Sequence, residues 1–97
     1  MTRVVWTPLA ELELEAIAEY VAEDRPKSAA GIVRRIREKA ASLVEFPNRA
    51  RAGRVKNTRE LVVTDTRYII AYRVTGDTVW IASVFDAARD YPSDEMN

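Results

Sequence analysis

The sequence contains no cysteine and no histidine among its 97 residues. Zinc sites built from Cys and His ligands are therefore excluded, and so are disulfide bonds. Serine or cysteine nucleophiles activated by histidine are excluded for the same reason, as are histidine acid–base pairs. The absence of cysteine is typical of a protein that works in a reducing compartment.

Long hydrophobic runs are also missing, because no apolar stretch approaches the roughly 20 residues that span a membrane. The first 24 residues hold six acidic residues and one basic residue, which is the reverse of a secretory signal peptide. We therefore expect a cytoplasmic protein with no membrane partner. The chain is 47% hydrophobic and 31% charged, the balance of one small folded domain spanning residues 1–97.

Glycine is scarce, and its placement excludes a phosphate-binding cradle. Gly31, Gly53 and Gly76 are isolated, so there is no glycine-rich nucleotide loop. Asp65 and Asp77 fall in predicted turns without metal-ligand spacing, which is typical of acids that cap turns or face water. We expect neither a metal site nor a cofactor.

Charge is present in abundance, and its distribution is uneven although the net charge is zero. Residues 1–24 carry a net charge of −5 and residues 60–97 a net charge of −4. Residues 25–59 carry eleven basic and two acidic residues, a net charge of +9. Such a basic centre can dock an acidic protein or a nucleic acid, but it can equally be a solvated helix face followed by a basic loop.

The first half of the chain predicts a strand and two helices. Residues 3–6 are mostly β-branched and aromatic, and Thr7-Pro8 then caps and opens a helix that runs to about Asp24. Arg25-Pro26 interrupts the pattern. A second helix begins at Lys27 or Ser28 and runs to about Phe46, where Pro47 stops it. The short connection predicts an antiparallel helical hairpin.

The second half predicts a loop and a three-strand meander. The loop covers 48–57, and the strands cover 60–63, 67–74 and 78–85. The last strand alternates Val79, Ile81 and Ser83 with Trp80, Ala82 and Val84, and a polar tail follows from about 87 to 97. The order is β-α-α-β-β-β. The fold class is therefore α+β, with an antiparallel-type sheet, joined by the first strand, and the helical hairpin packed on one face.

The first helix carries two apolar stripes rather than one. The first stripe is predicted to face the core and contains Ala10, Leu14, Ile17 and Val21. The second stripe contains Leu9, Leu12, Ala16 and Tyr20. One sheet needs only one stripe, so the second packs on the neighbouring helix or receives a partner. We expect part of it to contact the second helix near Lys39 and Phe46.

One enzymatic interpretation remains without histidine. Arginine and lysine electrostatics combined with tyrosine can cleave RNA, and the candidates are Lys56, Arg59, Arg73, Arg89 and Tyr91. The structural alternative is that Arg59 and Arg73 simply pair with Glu60 or Asp77 on the strand surfaces.

Several segments resemble the RelE/ParE toxin superfamily. Trp6-Thr7-Pro8-Leu9-Ala10 with the later Leu14, Ile17 and Tyr20 resembles its opening strand and helix, with Glu13 where Asp is usual. The more specific segments are Gly53-Arg54, 58–63, 68–74, Asp77-x-Val79-x-Ile81 and the closing 87–92. The resemblance covers about Val4 to Pro92 and is nearest to the ParE branch. Asp86 stands where many relatives have His.

The resemblance implies the toxin of a type II toxin–antitoxin system. A ParE-like member inhibits DNA gyrase by binding, causes growth arrest, contacts nucleic acid only indirectly through gyrase, and is neutralised by a ParD-like antitoxin. The alternative is a RelE-like ribosome-dependent mRNA interferase, which the lack of histidine and the acidic tail disfavour. A further alternative is a module that has lost toxicity and serves in a regulatory complex.

The residues expected to carry these roles form two sets, and neither set is catalytic. We expect the basic residues Arg49, Arg51, Arg54, Lys56 and Arg59 to lie near one another on one side of the sheet. The expected target-binding set is Arg49, Arg54, Lys56, Arg59, Arg73, Arg89 and Tyr91. The expected antitoxin-binding set is Leu9, Leu12, Ala16, Tyr20, Arg34, Arg35 and Lys39.

Overall fold

The computed structural model describes residues 1–88, which form two helices and a five-stranded sheet. The expected residues Arg89 and Tyr91 therefore lie outside the described residues. In chain order the elements are β1 (Arg3–Trp6), α1 (Pro8–Asp24), α2 (Pro26–Ala41), a 3₁₀ turn (Ser42–Val44), β2 (Arg51–Ala52), β3 (Arg59–Val62), β4 (Tyr68–Thr75) and β5 (Thr78–Asp86).

The predicted helical hairpin is present, and its first helix has the predicted bounds. The Thr7 hydroxyl accepts a hydrogen bond from the Ala10 N–H at 3.2 Å, and Pro8 occupies the first helical position. Only Arg25 separates the two helices.

The second helix ends earlier than predicted. It stops at Ala41, and a 3₁₀ turn follows, so Phe46 lies outside any helix and is exposed. The Ser42 hydroxyl donates to the Lys39 carbonyl at 2.6 Å, an example of a serine competing with the backbone at a helix end. Leu43 is nevertheless fully buried, because the tighter turn keeps it directed at the core.

The sheet has the strand order β1-β5-β4-β3-β2. The meander of β3, β4 and β5 is antiparallel, as predicted, whereas β1 pairs with β5 in parallel. The first strand thus makes the sheet mixed. The segment predicted as a loop also contains a short edge strand, because Arg51 pairs with Glu60 and Ala52 with Arg59.

The main core lies between the helices and one face of the sheet. The helices contribute Ala10, Leu14, Ile36 and Ala40, and the facing strands contribute chiefly Ile70, Tyr72, Val79 and Ile81. Ile17 of the predicted core stripe is partly buried against this cluster, and so is Val33 of α2. We call the other side of the sheet the open face; it carries Glu60, Ala71, Arg73 and Trp80.

A bulge in β5 changes the predicted alternation. Tyr72 pairs with Ile81 while Ala71 pairs with Ser83, so Ala82 is an extra residue. Val84 consequently joins Val79 and Ile81 in the main core, and Phe85 joins a smaller buried cluster with Ile69 and Ala71. The strict period of two therefore failed after Ile81, because the inserted residue reverses every following side chain.

Within residues 1–88, neither helix combines the length and apolar character that crossing a membrane requires.

Candidate functional site

The predicted basic centre divides between the two sides of the sheet, contrary to our expectation of one cluster. On the helix side, Arg59 Nη1 donates to the carbonyl oxygens of Asn48 at 3.1 Å and Ala50 at 2.8 Å. Arg49 Nη1 donates to the Ser42 hydroxyl at 3.3 Å. These two arginines therefore tie the segment before β2 to the body of the fold.

The other arginines converge on a buried carboxylate on the open face. The Glu60 side chain is only 2% exposed and accepts the Arg54 N–H at 2.9 Å. Its Oε1 atom lies 3.4 Å from both Arg51 Nη2 and Arg54 Nε. The Arg54 guanidinium also lies 5.5 Å above the ring of Phe85. Glu60 therefore pairs with Arg51 and Arg54 rather than with Arg59.

We call Gly53–Asn57 the basic loop. Together with Thr58 it connects β2 to β3, and it forms a closed turn. The Gly53 N–H donates to the Thr58 carbonyl at 2.8 Å, and the Thr58 hydroxyl donates to the Val55 carbonyl at 2.6 Å. Asn57 adopts a positive φ of 66°, which asparagine tolerates better than most residues. Lys56 is exposed in this loop.

The proposed RNA-cleaving residues are not gathered on one side. In the strand register, Arg59 lies opposite the core residue Tyr72. Arg73 is the next residue along β4 and lies opposite Trp80 on the open face. Because successive side chains of a strand point to opposite faces, Arg59 and Arg73 lie on opposite sides of the sheet. Arg89 and Tyr91 lie outside the described residues. Among residues 1–88 the arrangement offers electrostatic contact surfaces rather than an acid–base pair.

Burial raises the pKa of two tyrosine side chains. It raises the pKa of Tyr68, with the nearby Arg67 acting in the opposite direction. It also raises the pKa of Tyr72, opposed by the Ala50 backbone and by the Arg59 guanidinium. Neutral phenol groups are therefore favoured in both places, so neither side chain is prepared to act as a base.

The second stripe of α1 is largely exposed, and Tyr20 lines a cleft with Ser28 and Ile32 in the first half of α2 rather than near Lys39 and Phe46. Leu12 and Tyr20 are each 64% exposed, and Ala16 is exposed. Ala16 and Tyr20 also line a cleft of about 380 Å³ that reaches the end of β5 at Phe85 and Asp86. Leu9 is half-buried.

The contact between the helices lies on another side of α1. There Glu11 accepts a hydrogen bond from Arg37 at 2.7 Å, and Ala18 borders a cleft together with Val33. The side of α1 that carries Glu11 and Ala18 therefore faces the neighbouring helix. Leu12 and Ala16 remain exposed.

The three basic residues of the expected antitoxin set lie in other clefts. Arg35 and Lys39 line a cleft with Asp65. Arg34 lines a small-residue groove on the outside of the hairpin, together with Ala30. The predicted basic rim therefore does not share a cleft with Ala16, although Asp65 borders both the cleft of Arg35 and Lys39 and a cleft that contains Tyr20.

Glu13, for which no role was predicted, holds α1 to the sheet. Strand β1 ends at Trp6, so β5 continues beyond its parallel partner. Along this continuation the Glu13 carboxylate accepts the Val84 N–H at 3.1 Å and the Ser83 hydroxyl at 2.8 Å. The available clue in the sequence was the position of Glu13 between Leu12 and Leu14, which belong to the two apolar stripes of α1. The acid satisfies a strand-edge donor that would otherwise be lost.

No three Asp or Glu side chains within residues 1–88 converge on a point where they could hold an ion.

Comparison with known proteins identifies relatives along nearly the whole chain. A family model described as the ParE toxin of the type II toxin–antitoxin system parDE matches residues 4–91. The protein Y4kP of Sinorhizobium fredii is 42% identical over 90 residues, which cover 93% of each chain. Toxin RelE2 of Caulobacter vibrioides is 38% identical over 89 residues, covering 92% of this chain and 99% of that protein.

A solved structure shares the fold. A chain from the chromosomal ParDE toxin–antitoxin system of P. aeruginosa superposes with a TM-score of 0.83 at 25% identity, covering 89% of this chain and 96% of that chain. Fold and site thus define the class, a small α+β toxin without a gathered acid–base pair in residues 1–88. The chain belongs to the ParE toxin family of type II toxin–antitoxin systems.

Proposed function

We propose that the chain inhibits DNA gyrase by binding it and stabilising cleaved DNA, and that a ParD-like antitoxin neutralises it in the cytoplasm. The observation that carries the proposal is the match of residues 4–91 to the ParE toxin family. The separation of Arg59 from Arg73 across the sheet supports inhibition by contact rather than by RNA cleavage.

The target-binding surface in this proposal is the open face with the basic loop. Arg54 and Lys56 supply positive charge there, and Arg73 lies on the same face beside the exposed ring of Trp80. Arginine and tryptophan are the residues most enriched among the energetically dominant contacts of interfaces. Arg49 and Arg59 act indirectly in this account, because their guanidiniums hold the segment before β2.

The antitoxin surface in this proposal is the exposed stripe of α1 and its cleft. Leu12, Ala16 and Tyr20 lie at spacings of four residues, so they present successive apolar anchors along one side of the helix. An amphipathic segment of the antitoxin would pack there. The neighbouring structure of a ParDE system supports a partner of this kind. Arg34, Arg35 and Lys39 would serve to attract an acidic antitoxin over a longer distance.

A second candidate is a RelE-like mRNA interferase. It is favoured by the 38% identity to a protein named Toxin RelE2 and by the presence of Lys56, Arg59 and Arg73 in this chain. The two candidates differ in their effect on mRNA. An interferase cleaves mRNA on the ribosome, whereas a gyrase inhibitor leaves mRNA intact.

The test combines growth with two purified reactions. Expression without antitoxin should arrest growth, which distinguishes a live toxin from a purely regulatory module. The purified protein should then inhibit gyrase supercoiling and leave in vitro translation unaffected. Translation arrest with cut mRNA and normal supercoiling would replace this proposal with the interferase, and normal growth would replace it with the regulatory module.

A further inference from the structure

Glu60 is an acidic residue buried in the middle of a basic surface. Its side chain is 2% exposed, although it lies on β3 between the edge strand β2 and the central strand β4. A buried carboxylate without partners costs several kcal/mol, so its contacts decide whether this position tolerates an acid. Ala71 stands opposite on β4, and its small side chain leaves the carboxylate room.

Within residues 1–88, the polar contacts of Glu60 come from Arg51 on β2 and from Arg54 in the basic loop. Oε2 accepts the Arg54 N–H at 2.9 Å, which fixes the backbone at the start of the basic loop. Oε1 lies 3.4 Å from Arg54 Nε and from Arg51 Nη2, which fixes both guanidiniums. One carboxylate therefore holds one backbone group and two positive side chains.

The loop itself is closed by independent contacts. Gly53 bonds to the Thr58 carbonyl, and a Cβ at Gly53 would lie 2.2 Å from Thr58 Oγ1. The hydroxyl of Thr58 in turn holds Val55. These bonds close the loop on Thr58, and Glu60 adds one backbone contact at Arg54 and the direction of the two arginine side chains.

The Arg54 side chain is directed across the sheet. Arg54 begins beside β3, and its guanidinium reaches the ring of Phe85 on β5, at 5.5 Å from the ring centroid. Its side chain remains 40% exposed, so the contact leaves it accessible. Orientation before binding reduces the entropy that association must pay.

We propose that Glu60 is a positioning residue for target recognition: it orients Arg51 and Arg54 on the open face before the target binds. The proposal rests on the proposed function only for the identity of the target. The orientation of the two guanidiniums is a property of the free protein and is measured separately.

The functional test is a double-mutant cycle on gyrase inhibition. Glu60→Gln keeps the shape and removes the charge, and Arg54→Gln removes the group that Glu60 is proposed to orient. We expect each single change to raise the half-inhibitory concentration about tenfold, the effect of losing one charge-assisted hydrogen bond. We expect the double variant to lose little more than either single variant, because both changes remove the same contact.

Matched controls separate positioning from general charge effects. Glu38→Gln removes an acid from an exposed pair with Arg34, in which the two side chains are 70% and 71% exposed, and it should leave inhibition unchanged. All variants are compared by thermal unfolding and antitoxin binding, which a change in guanidinium direction should not alter. Fully additive losses, or normal inhibition by Glu60→Gln, would overturn the proposal.

A second measurement needs neither a variant nor a target. In the unmodified protein, the Nε–Hε proton of Arg54 should exchange with solvent more slowly than that of Arg34, as read by NMR. Equal exchange rates would overturn the positioning role even if gyrase is inhibited. Slow exchange in a protein that does not inhibit gyrase would support the positioning role and contradict the proposed target instead.

Discussion

The hydroxyl of Tyr72 is fully enclosed and makes no hydrogen bond of good geometry within residues 1–88; the Ala50 backbone lies close enough to oppose the rise in its pKa, but it does not complete such a bond. Burying a hydroxyl without a partner costs about 1–3 kcal/mol. The aromatic ring, in contrast, packs in the main core. The phenol oxygen therefore reduces the stability that the ring supplies.

We predict that Tyr72→Phe leaves the free energy of unfolding unchanged or raises it by up to about 1 kcal/mol. Urea denaturation of the two proteins measures the difference. A loss of more than about 1 kcal/mol would mean that a bound water or another group satisfies the hydroxyl, and the account of this site would be incorrect.

The same residue predicts a dependence on alkaline pH. Burial raises the pKa of Tyr72 above its usual value of about 10, so the folded state retains the proton that the unfolded chain releases. This contribution is complete below about pH 10 and is lost as pH rises through the raised pKa. The melting temperature should fall in that range, and less steeply in Tyr72→Phe. Equal slopes would contradict this assignment.

Gly53 shows how closely the basic loop is packed against Thr58. An added Cβ would meet Thr58 Oγ1 at 2.2 Å and the Thr58 carbonyl oxygen at 3.1 Å. Gly53→Ala should therefore cost about 1–3 kcal/mol. Gly31→Ala is the matched control, because nothing lies within 4 Å of its added Cβ and alanine favours the helix by about 0.5–1 kcal/mol. Chemical denaturation measures both, and equal effects would refute the close packing.

At the scale of elements, the parts that local chemistry determines were predictable. The start of α1 follows from the Thr7 cap and Pro8, and its end follows from Arg25-Pro26. The hairpin between β4 and β5 follows from Gly76, whose φ is 59°. The short strand β2 was not predictable, because its two residues become a strand only by pairing with β3. The bulge at Ala82 was missed for the same reason, since both depend on long-range pairing.

In the candidate site, too, features set by local sequence were predictable and features set by long-range pairing were not. The basic character of residues 49–59 was evident from the sequence, but its separation into two sides of the sheet was not. That division depends on the register that places Arg59 beside Tyr72 and Glu60 beside Ala71. The burial of Glu60 likewise depends on its neighbours in the sheet rather than on its own segment.

Helix α1 offers a test of the proposed antitoxin surface. Leu12→Ala should weaken the antitoxin complex by about 1–3 kcal/mol while the free toxin melts at nearly the same temperature, because Leu12 is exposed. Leu14→Ala is the control on the same helix. It should destabilise the free toxin by about 2–5 kcal/mol, because Leu14 is buried. Calorimetry and thermal unfolding separate the two effects. Normal antitoxin affinity of Leu12→Ala would place the interface elsewhere.

At the scale of the whole molecule, the zero net charge conceals a surface with regions of opposite sign. Much of the basic centre forms hydrogen bonds within the protein. The residues that do so are Arg49, Arg51, Arg54 and Arg59. Lys56 is exposed at the basic loop. The long-range attraction of a negatively charged target should therefore respond to Lys56 without a change in folding.

We predict that Lys56→Glu weakens gyrase inhibition at low salt and that the loss diminishes at high salt, because screening removes long-range attraction. Lys27→Glu reverses an exposed charge at the start of α2 and should have little effect. Melting temperatures of both variants should match the parent within the range of ordinary surface changes. If both variants inhibit equally well at every salt concentration, the basic loop is an ordinary solvated surface.

The central claim is that this toxin acts by occupying its target, and stoichiometry tests it most directly. Increasing toxin is added to a fixed concentration of gyrase, and supercoiling and trapped DNA cleavage are recorded. A parallel translation reaction receives the same amounts of toxin, and its mRNA is inspected. The account predicts inhibition that saturates as toxin approaches the gyrase concentration, with intact mRNA throughout. Cleaved mRNA at toxin concentrations far below that of ribosomes, with gyrase unaffected, would contradict it.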